Sequence, residues 1–214
     1  MNFGELVTRT RIYCDDPSGD RFSDVAIKGF INEAQWNIQA EIDMTDELFF
    51  RACKNYDVDP TEDAWEFALP SDFKRVLLAE RLTTGDPIPA AWIDFRRRHE
   101  TATSEVSLSG ALSRPVCYLA GQKLGVVDTD ADYTLRLWYV KRLAQLVDSA
   151  TVSEIPLEWH DLICLEAAKI GLGAIQRELS TGLQEIHALQ LQRMKQNLSE
   201  REYQSAKYVH YIPD

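Results

Sequence analysis

Apolar positions recur with a helical period over the first part of the chain. One set would share a face of a short first helix that ends at the turn residues 15–20: Phe3, Leu6, Val7, Thr10 and Cys14. After Ser23, a suitable N-cap, a stronger pattern predicts a second helix whose buried face contains Ile27, Phe30, Ile31, Ala34, Ile38 and Ile42. Val25 and Trp36 fall on its other side, so we expect them to pack on another surface, in this chain or in a neighbouring subunit.

From residue 48 the pattern changes to short strand-like runs. Branched and aromatic residues are grouped between Pro, Asp and Gly turns as far as Lys141. The predicted strands are residues 48–53, 65–69, 75–79, 118–119, 123–127 and 133–140. Residues 118–127 form a predicted hairpin, and residues 93–99 a single helical turn.

Helical periodicity returns after Ile155. Pro156 suits the first position of a helix, where its missing N–H costs nothing. This helix has two apolar stripes, one of Trp159, Ile163, Ala167, Ile170 and Ala174, the other of Leu157, Cys164, Ala168 and Leu172. A helix that is apolar on two sides is expected to be buried on two sides. The last predicted helix starts near Gly182, and no helical period is visible after residue 204.

These patterns predict an α+β fold with two N-terminal and two C-terminal helices around a β-rich insertion. Because all four helices carry an apolar face, we expect them to close as a four-helix bundle. The predicted boundaries are 1–47 for the first half of the bundle, 48–142 for the β-rich block, 143–204 for the second half and 205–214 for an extended C-terminal arm.

The chain carries a marked acidic excess. Its 214 residues include 34 acidic and 23 basic side chains, which gives a net charge of −11. A protein that binds by neutralising phosphates needs the opposite sign, so tight binding to DNA or to an anionic membrane is disfavoured. No run is long enough to cross a bilayer and no signal segment is visible at the start, so a soluble protein made in the cytosol is expected.

The motifs that would indicate catalysis or a cofactor do not occur. Residues 128–132 have alternating carboxylates, but Tyr133 stands where a calcium loop needs glycine. Glu158, His160 and Asp161 are too close along a helix to converge on one point, and a lone His160 is expected to be a cap or surface contact. The widely spaced cysteines are expected to be buried hydrophobes. We therefore predict no metal, no cofactor and no enzymatic activity.

Three segments could serve as binding surfaces. Arg96, Arg97 and Arg98 could contact nucleic acid, pair with carboxylates of a neighbouring subunit, or form a solvated turn. The acidic stretch that includes Asp57, Asp59, Glu62 and Asp63 is either a solvated face or the lining of a channel that repels passing DNA. The apolar C-terminal residues either dock on their own domain or anchor a partner: Tyr203, Tyr208, Val209, Tyr211 and Ile212.

Several segments, taken in order, resemble the head-to-tail adaptor proteins of tailed phages. They are residues 31–35 (INEAQ), 67–73 (FALPSDF), 114–115 (RP) before the Tyr118 hairpin, 135–141 (LRLWYVK) and 155–163 (IPLEWHDLI). The likeness covers about residues 5 to 172. It implies a helical bundle with a β insertion and no catalytic residues.

The resemblance also implies an assembly. Such adaptors typically form a ring of twelve copies in the virion neck, below the portal protein, where they extend the DNA channel and receive a tail or nozzle protein. DNA then passes without specific binding, and the C-terminal segment contacts the portal. The expected contacts between neighbouring subunits involve Trp36, Leu157, Ala168, Leu172 and the three arginines. Another neck, nozzle or head-completion protein, and an enzyme with an unrecognised site, are the alternatives.

Overall fold

The computed structural model describes residues 1–59, 66–97, 114–127 and 132–209, with side chains as far as Arg201. The chain divides into a helical unit, Met1–Phe49 with Leu143–Asp214, and a β unit, Phe50–Arg142. Within the described ranges there are four α-helices and two four-stranded sheets. The predicted mixed α+β content is confirmed, and the closed four-helix bundle stays a prediction.

The first two helices of the helical unit begin at polar caps. Helix α1 spans Phe3–Tyr13 and starts with a capping box, in which Asn2 and Glu5 each accept a hydrogen bond from the other's backbone N–H. Helix α2 spans Asp24–Thr45, and its N-cap is Ser23, as predicted. Helix α3 is His160–Ala174 and helix α4 is Thr181–Val209. Helices α1, α2 and α3 pack on one another, and α4 packs on α2 and α3.

The start of α3 and the end of α4 differ from the prediction. Pro156 is the N-cap of a short 3-10 turn, Leu157–Trp159, and α3 begins only at His160. Helix α4 continues to Val209, so residues 205–209 are helical and not part of an extended arm. No glycine or proline interrupts residues 183–212, and Gln, Ala and Lys are good helix formers, so local propensity favours this continuation. Residues 210–214 lie outside the described part of the chain.

A strap of irregular chain, residues 143–155, is held along α2 by buried amide side chains. Asn32 donates to the carbonyl of Leu146 at 3.1 Å and accepts from its N–H at 2.7 Å. One turn later, Gln35 donates to the carbonyl of Ala144 and accepts from the Ser153 hydroxyl at 2.6 Å. Gln39 then accepts from the N–H of Leu143. Because the spacing 32, 35, 39 puts three amides on one helical face, α2 supplies the hydrogen bonds that a neighbouring strand would give.

The β unit contains two sheets. The first has the order β1, β8, β3, β4, whose bounds are Arg51–Val58, Tyr133–Lys141, Phe73–Arg81 and Ile88–Pro89. The second has the order β2, β7, β6, β5, whose bounds are Glu66–Ala68, Lys123–Val127, Val116–Ala120 and Ala91–Trp92. All pairings are antiparallel except that of β5 with β6. A 3-10 turn at Phe95–Arg97 lies within the predicted helical turn.

The predicted hairpin is confirmed as β6 and β7, which a turn at Gly121 joins. Tyr118 lies directly opposite Gly125 in this pair. Its ring covers the glycine so closely that a Cβ atom there would lie 2.0 Å from Cζ of the tyrosine. The Tyr118 hydroxyl donates to Glu66 and its ring packs on Phe95, so neighbours on two sides hold the ring in place.

Gly125→Ala is therefore expected to lower the free energy of unfolding by about 2 kcal/mol, because the added methyl group has to displace the tyrosine ring. Denaturant titration of the purified protein measures this loss. Gly173→Ala is the matched control, since a Cβ at Gly173 meets nothing within 4 Å. Equal stability of the two variants would contradict the role given to the Tyr118 ring.

Candidate functional site

His160 and Asp161 do not form an acid–base pair. Of the two predicted roles, a cap or a surface contact, the first is found in its backbone, since His160 is the C-cap of the 3-10 turn, whereas its side chain is buried. Its Nε2–H donates to the carbonyl of Ile155 at 2.7 Å. Its Nδ1 accepts from the Met1 ammonium group at 2.9 Å, which fits the neutral Nε2-protonated tautomer. Burial and the nearby positive charge lower the pKa of His160. Both ring nitrogens thus have structural partners.

Asp161 joins three helices through its carboxylate. It forms an ion pair with Arg9, and it accepts from the Tyr13 hydroxyl at 2.8 Å and from Gln190 Nε2 at 3.0 Å. Burial acts to raise the pKa of Asp161, but these hydrogen bonds and the Arg9 charge hold it below its ordinary value. A carboxylate that is kept ionised by this many donors is a structural anion and a poor proton acceptor.

Glu166 fastens α4 in a similar way. His187 of α4 lies 2.9 Å from the Glu166 carboxylate, and Lys169 lies 3.2 Å from it. The hydrogen bond from His187, helped by the charge of Lys169, lowers the pKa of Glu166 to about 2. Two fully buried side chains of α4, Met194 and Leu198, complete its attachment.

The described residues provide no group of His, Cys, Asp and Glu side chains that could hold a metal ion. Residues 128–131 of the predicted carboxylate turn lie outside the described ranges. Burial raises the pKa of Cys117 and Cys164 to about 12 and that of Cys14 to about 11, as suits small buried thiols. Cys53 was also expected to be buried, but it is exposed on β1.

The four apolar side chains predicted to contact a neighbouring subunit are not equally accessible. Leu157 is 70% exposed, and Trp36 is 39% exposed although its indole N–H donates to the carbonyl of Leu143. Ala168 and Leu172 are buried inside the chain itself, at 0% and 6% exposure. The prediction for these two residues is corrected, because the part of the second stripe that lies on α3 packs against other parts of the same chain, and only Leu157, which precedes α3, is exposed.

The charged segments are only partly described. Arg96 is exposed in the 3-10 turn, where its N–H donates to Asp94. The backbone of Arg97 belongs to the same turn, and Arg98 lies outside the described residues. Asp57 is exposed on β1 and accepts from the Thr134 hydroxyl at 3.1 Å. Asp59 is half-buried, and Glu62 and Asp63 lie outside the described part.

The residues predicted to anchor a partner through the C-terminus fall on either side of the helix end. Helix α4 includes Tyr203, Tyr208 and Val209. The described part of the chain ends before Tyr211 and Ile212. The last described side-chain contact of the helix is that of Arg201, whose guanidinium lies 4.9 Å from the centre of the Phe49 ring.

One exposed surface of the β unit was missed by the sequence analysis. On one side of β1, β8 and β3, the middle row across the strands is Cys53, Trp138 and Leu78, of which Leu78 is 37% exposed. Arg51 and Arg136 lie 6.0 and 5.7 Å from the centre of the Trp138 ring, and Arg75 occupies the same row as Arg51. Trp138 and Arg136 are half-buried, and Val140, between Arg51 and Arg75 in that row, is buried, so the surface is exposed only in part. We call this surface the sheet face. Its signal was the alternation of β8, in which Arg136 and Trp138 fall opposite the core residues.

A second exposed surface was found only in part. Five apolar or small residues and one glutamate fall within a narrow arc of α2, and all are exposed: Val25, Gly29, Glu33, Trp36, Ala40 and Met44. Val25 is 81% and Met44 is 74% exposed, although the buried side of this helix is almost fully covered. We call this surface the α2 stripe. Val25 and Trp36 were predicted to lie on this side of the helix, but the three-four spacing that they share with the other members was not recognised.

An α+β chain that exposes Val25, Trp36 and Met44 along one helix has the features of a protein that binds other subunits. The family model described as SU10 adaptor protein matches residues 1–209, and the chain belongs to this family of phage head-to-tail adaptors. The resemblance seen in the sequence is thereby confirmed. Among curated proteins, none matches the chain.

Membership of a structural adaptor family implies a non-enzymatic component of the virion that interacts with other head or tail proteins. Across the ranges that the structure describes, no helix has the length and apolar character needed to cross a membrane.

Proposed function

We propose that this chain is a structural adaptor of a tailed-phage neck, where copies form a ring that joins the portal to the tail and extends the DNA channel. The observation that carries the proposal is the adaptor-family match over residues 1–209. Twelve copies, as is typical of such adaptors, would match a twelve-membered portal. Exposed Trp36 and Leu157 support contacts between subunits, with Arg96, Arg97 and Arg98 as candidates for ion pairs at the same interfaces.

The acidic excess supports a channel through which DNA passes without adhering. Each copy adds a charge of −11, so a closed ring repels the phosphate backbone from every side. Asp57, exposed on β1, is a described candidate for the channel lining, and Asp59, Glu62 and Asp63 follow it in the sequence. Electron cryo-microscopy of purified virions tests this placement. Density for this chain in the tail tube or baseplate, away from the neck, would contradict it.

The C-terminal end is proposed to contact the portal. Helix α4 is attached to its own unit as far as Leu198 and Arg201, and its backbone continues to Val209. Eight further helical residues extend the chain by about 12 Å on a stiff support. Tyr203, Tyr208, Val209, Tyr211 and Ile212 would then supply the aromatic and apolar anchors.

Removing residues 205–214 is expected to weaken portal binding by about a hundred-fold, because aromatic anchors carry a large part of the energy of an interface. Sedimentation of the adaptor with assembled portal measures the effect. The fold should be retained, since Met194 and Leu198 remain, and circular dichroism checks this. A shorter deletion, residues 213–214, is the matched control. Unchanged binding after the longer deletion would end the portal-contact proposal.

A further inference from the structure

Charge is divided unequally between the two units. The helical unit contains 10 basic and 20 acidic residues, whereas the β unit contains 13 basic and 14 acidic residues. Almost the whole net charge of the chain therefore belongs to the helical unit. The exposed arginines of the nearly neutral β unit can therefore attract the acidic helical unit of another copy.

The sheet face has the chemistry of a docking surface for an acidic partner. Trp138 lies between the guanidinium groups of Arg51 and Arg136, which gives a flat apolar centre with cationic borders. Its indole N–H donates to Glu80 at 2.8 Å, so the ring orientation is fixed. Cys53 and Leu78, on either side of Trp138, are uncharged. The Glu80 carboxylate beside the indole lies 3.9 Å from the Arg136 guanidinium, so the carboxylate of a partner is expected nearest Arg51.

The α2 stripe is also apolar, but its charged group is a carboxylate and not a guanidinium group. Gly29 and Ala40 alternate with Val25, Trp36 and Met44, so the stripe combines shallow and raised apolar positions. The one ionisable member is Glu33, a carboxylate near the middle of the stripe. Val25 to Met44 extends over about 28 Å of helix, so the stripe is long enough to cross the strands of the sheet, which lie about 4.8 Å apart. Asp57 is six residues, about 20 Å, from Arg51 along β1, so a helix that crosses the strands at Trp138 leaves Asp57 outside the contact.

We propose that the α2 stripe of one copy seats on the sheet face of the next copy, with Glu33 among the guanidinium groups that border Trp138. The contact joins two different surfaces, so it repeats from copy to copy and closes a ring when the rotation permits. This inference rests on the proposed ring and adds the direction in which neighbouring subunits contact each other. The acidic helical unit of each subunit meets the β unit of the next.

Cross-linking between two different chains tests the contact. One chain carries Ala40→Cys together with Cys53→Ser, and the other keeps the native Cys53 and Ala40. Cys14, Cys117 and Cys164 are fully buried, so a short bis-maleimide joins only the two exposed thiols. In the mixed portal-bound assembly, heterodimer is expected at a yield about ten-fold or more above background, because adjacency raises the effective concentration of the thiols.

The matched control replaces Gln192, an exposed residue on another helix, by cysteine in place of Ala40→Cys. A portal-bound assembly in which Ala40→Cys gives no more heterodimer than Gln192→Cys would overturn the proposed contact and leave the adaptor function intact. Failure of every chain, including the unmodified one, to join the portal would instead overturn the proposed function.

A charge-reversal pair adds a second readout. Glu33→Arg and Arg51→Glu are each expected to reduce the fraction of chain in rings, measured by light scattering after chromatography. The double variant is expected to recover it, because the two surfaces exchange sign together. Circular dichroism checks that both single variants are folded. If they are folded and the double variant still does not form rings, the two surfaces do not pair.

Discussion

Replacing Asn32 by alanine is expected to lower the free energy of unfolding of the helical unit by about 2–5 kcal/mol. The Asn32 amide satisfies both the N–H and the carbonyl of Leu146, at a site where the asparagine is 3% exposed. Alanine leaves one buried donor and one buried acceptor of the strap without their partner. Each such loss costs about 1–3 kcal/mol because the group was desolvated in order to pair.

Chemical denaturation followed by circular dichroism at 222 nm measures the change. Asn37→Ala is the matched control, because Asn37 is an exposed asparagine on the same helix and its effect should stay within about 0.5 kcal/mol. Were Asn32→Ala no more destabilising than Asn37→Ala, the strap could not depend on the amide ladder.

Glu166→Gln is expected to remove a pH-dependent part of the stability. The ordinary pKa of 4.5 falls to about 2 in the folded chain, which corresponds to about 3 kcal/mol at neutral pH. Because the folded pKa is the lower one, this contribution is complete above pH 4.5. It decreases as the pH falls from 4.5 towards 2, where the folded carboxylate is protonated as well.

Unfolding free energies of the wild type and the variant, measured from pH 7 to pH 3, should therefore differ most at pH 7 and converge on acidification. The difference between the two proteins is the informative quantity, since Asp161 and Asp16 also have lowered pKa values and contribute in the same direction. Glu158→Gln, at an exposed position, should give a flat difference. A constant offset for Glu166→Gln at every pH would refute the ion-pair explanation.

The sequence was most informative where local chemistry and packing agree. Ser23 and the three-four spacing after it identified α2, because the N-cap and the buried face both belong to one helix. The aromatic and branched residues of 133–140 identified β8, one of the two nine-residue strands among the described residues, for a similar reason. Leu135, Leu137 and Tyr139 all point into the core between the sheets.

Local propensity was misleading at residues 48–50. Leu48, Phe49 and Phe50 favour a strand by composition, yet β1 begins only at Arg51. The side chain of Asp46 accepts from the Leu48 N–H and its carbonyl accepts from the Phe49 N–H, so an aspartate turn takes the backbone groups that a strand would use.

The candidate site was harder to predict than the fold, because exposure depends on tertiary packing. Ala168 and Leu172 carry the pattern of an interface, but their own subunit covers them. Asn32, Gln35 and Gln39 carry the pattern of a solvated face, and all three are buried against the strap. In both cases the helical face could be predicted from the spacing, whereas the neighbour that covers it could not.

The strap has a consequence for the order of events during synthesis. Its hydrogen bonds join α2 to residues that the ribosome adds more than a hundred positions later, after the whole β unit. At ~5–20 residues per second, α1 and α2 wait on the order of ten seconds with their apolar sides uncovered, whereas the β unit is continuous and can fold as it emerges. Nascent chains arrested before residue 143 should consequently recruit chaperones through their first 45 residues and release them once the strap has emerged.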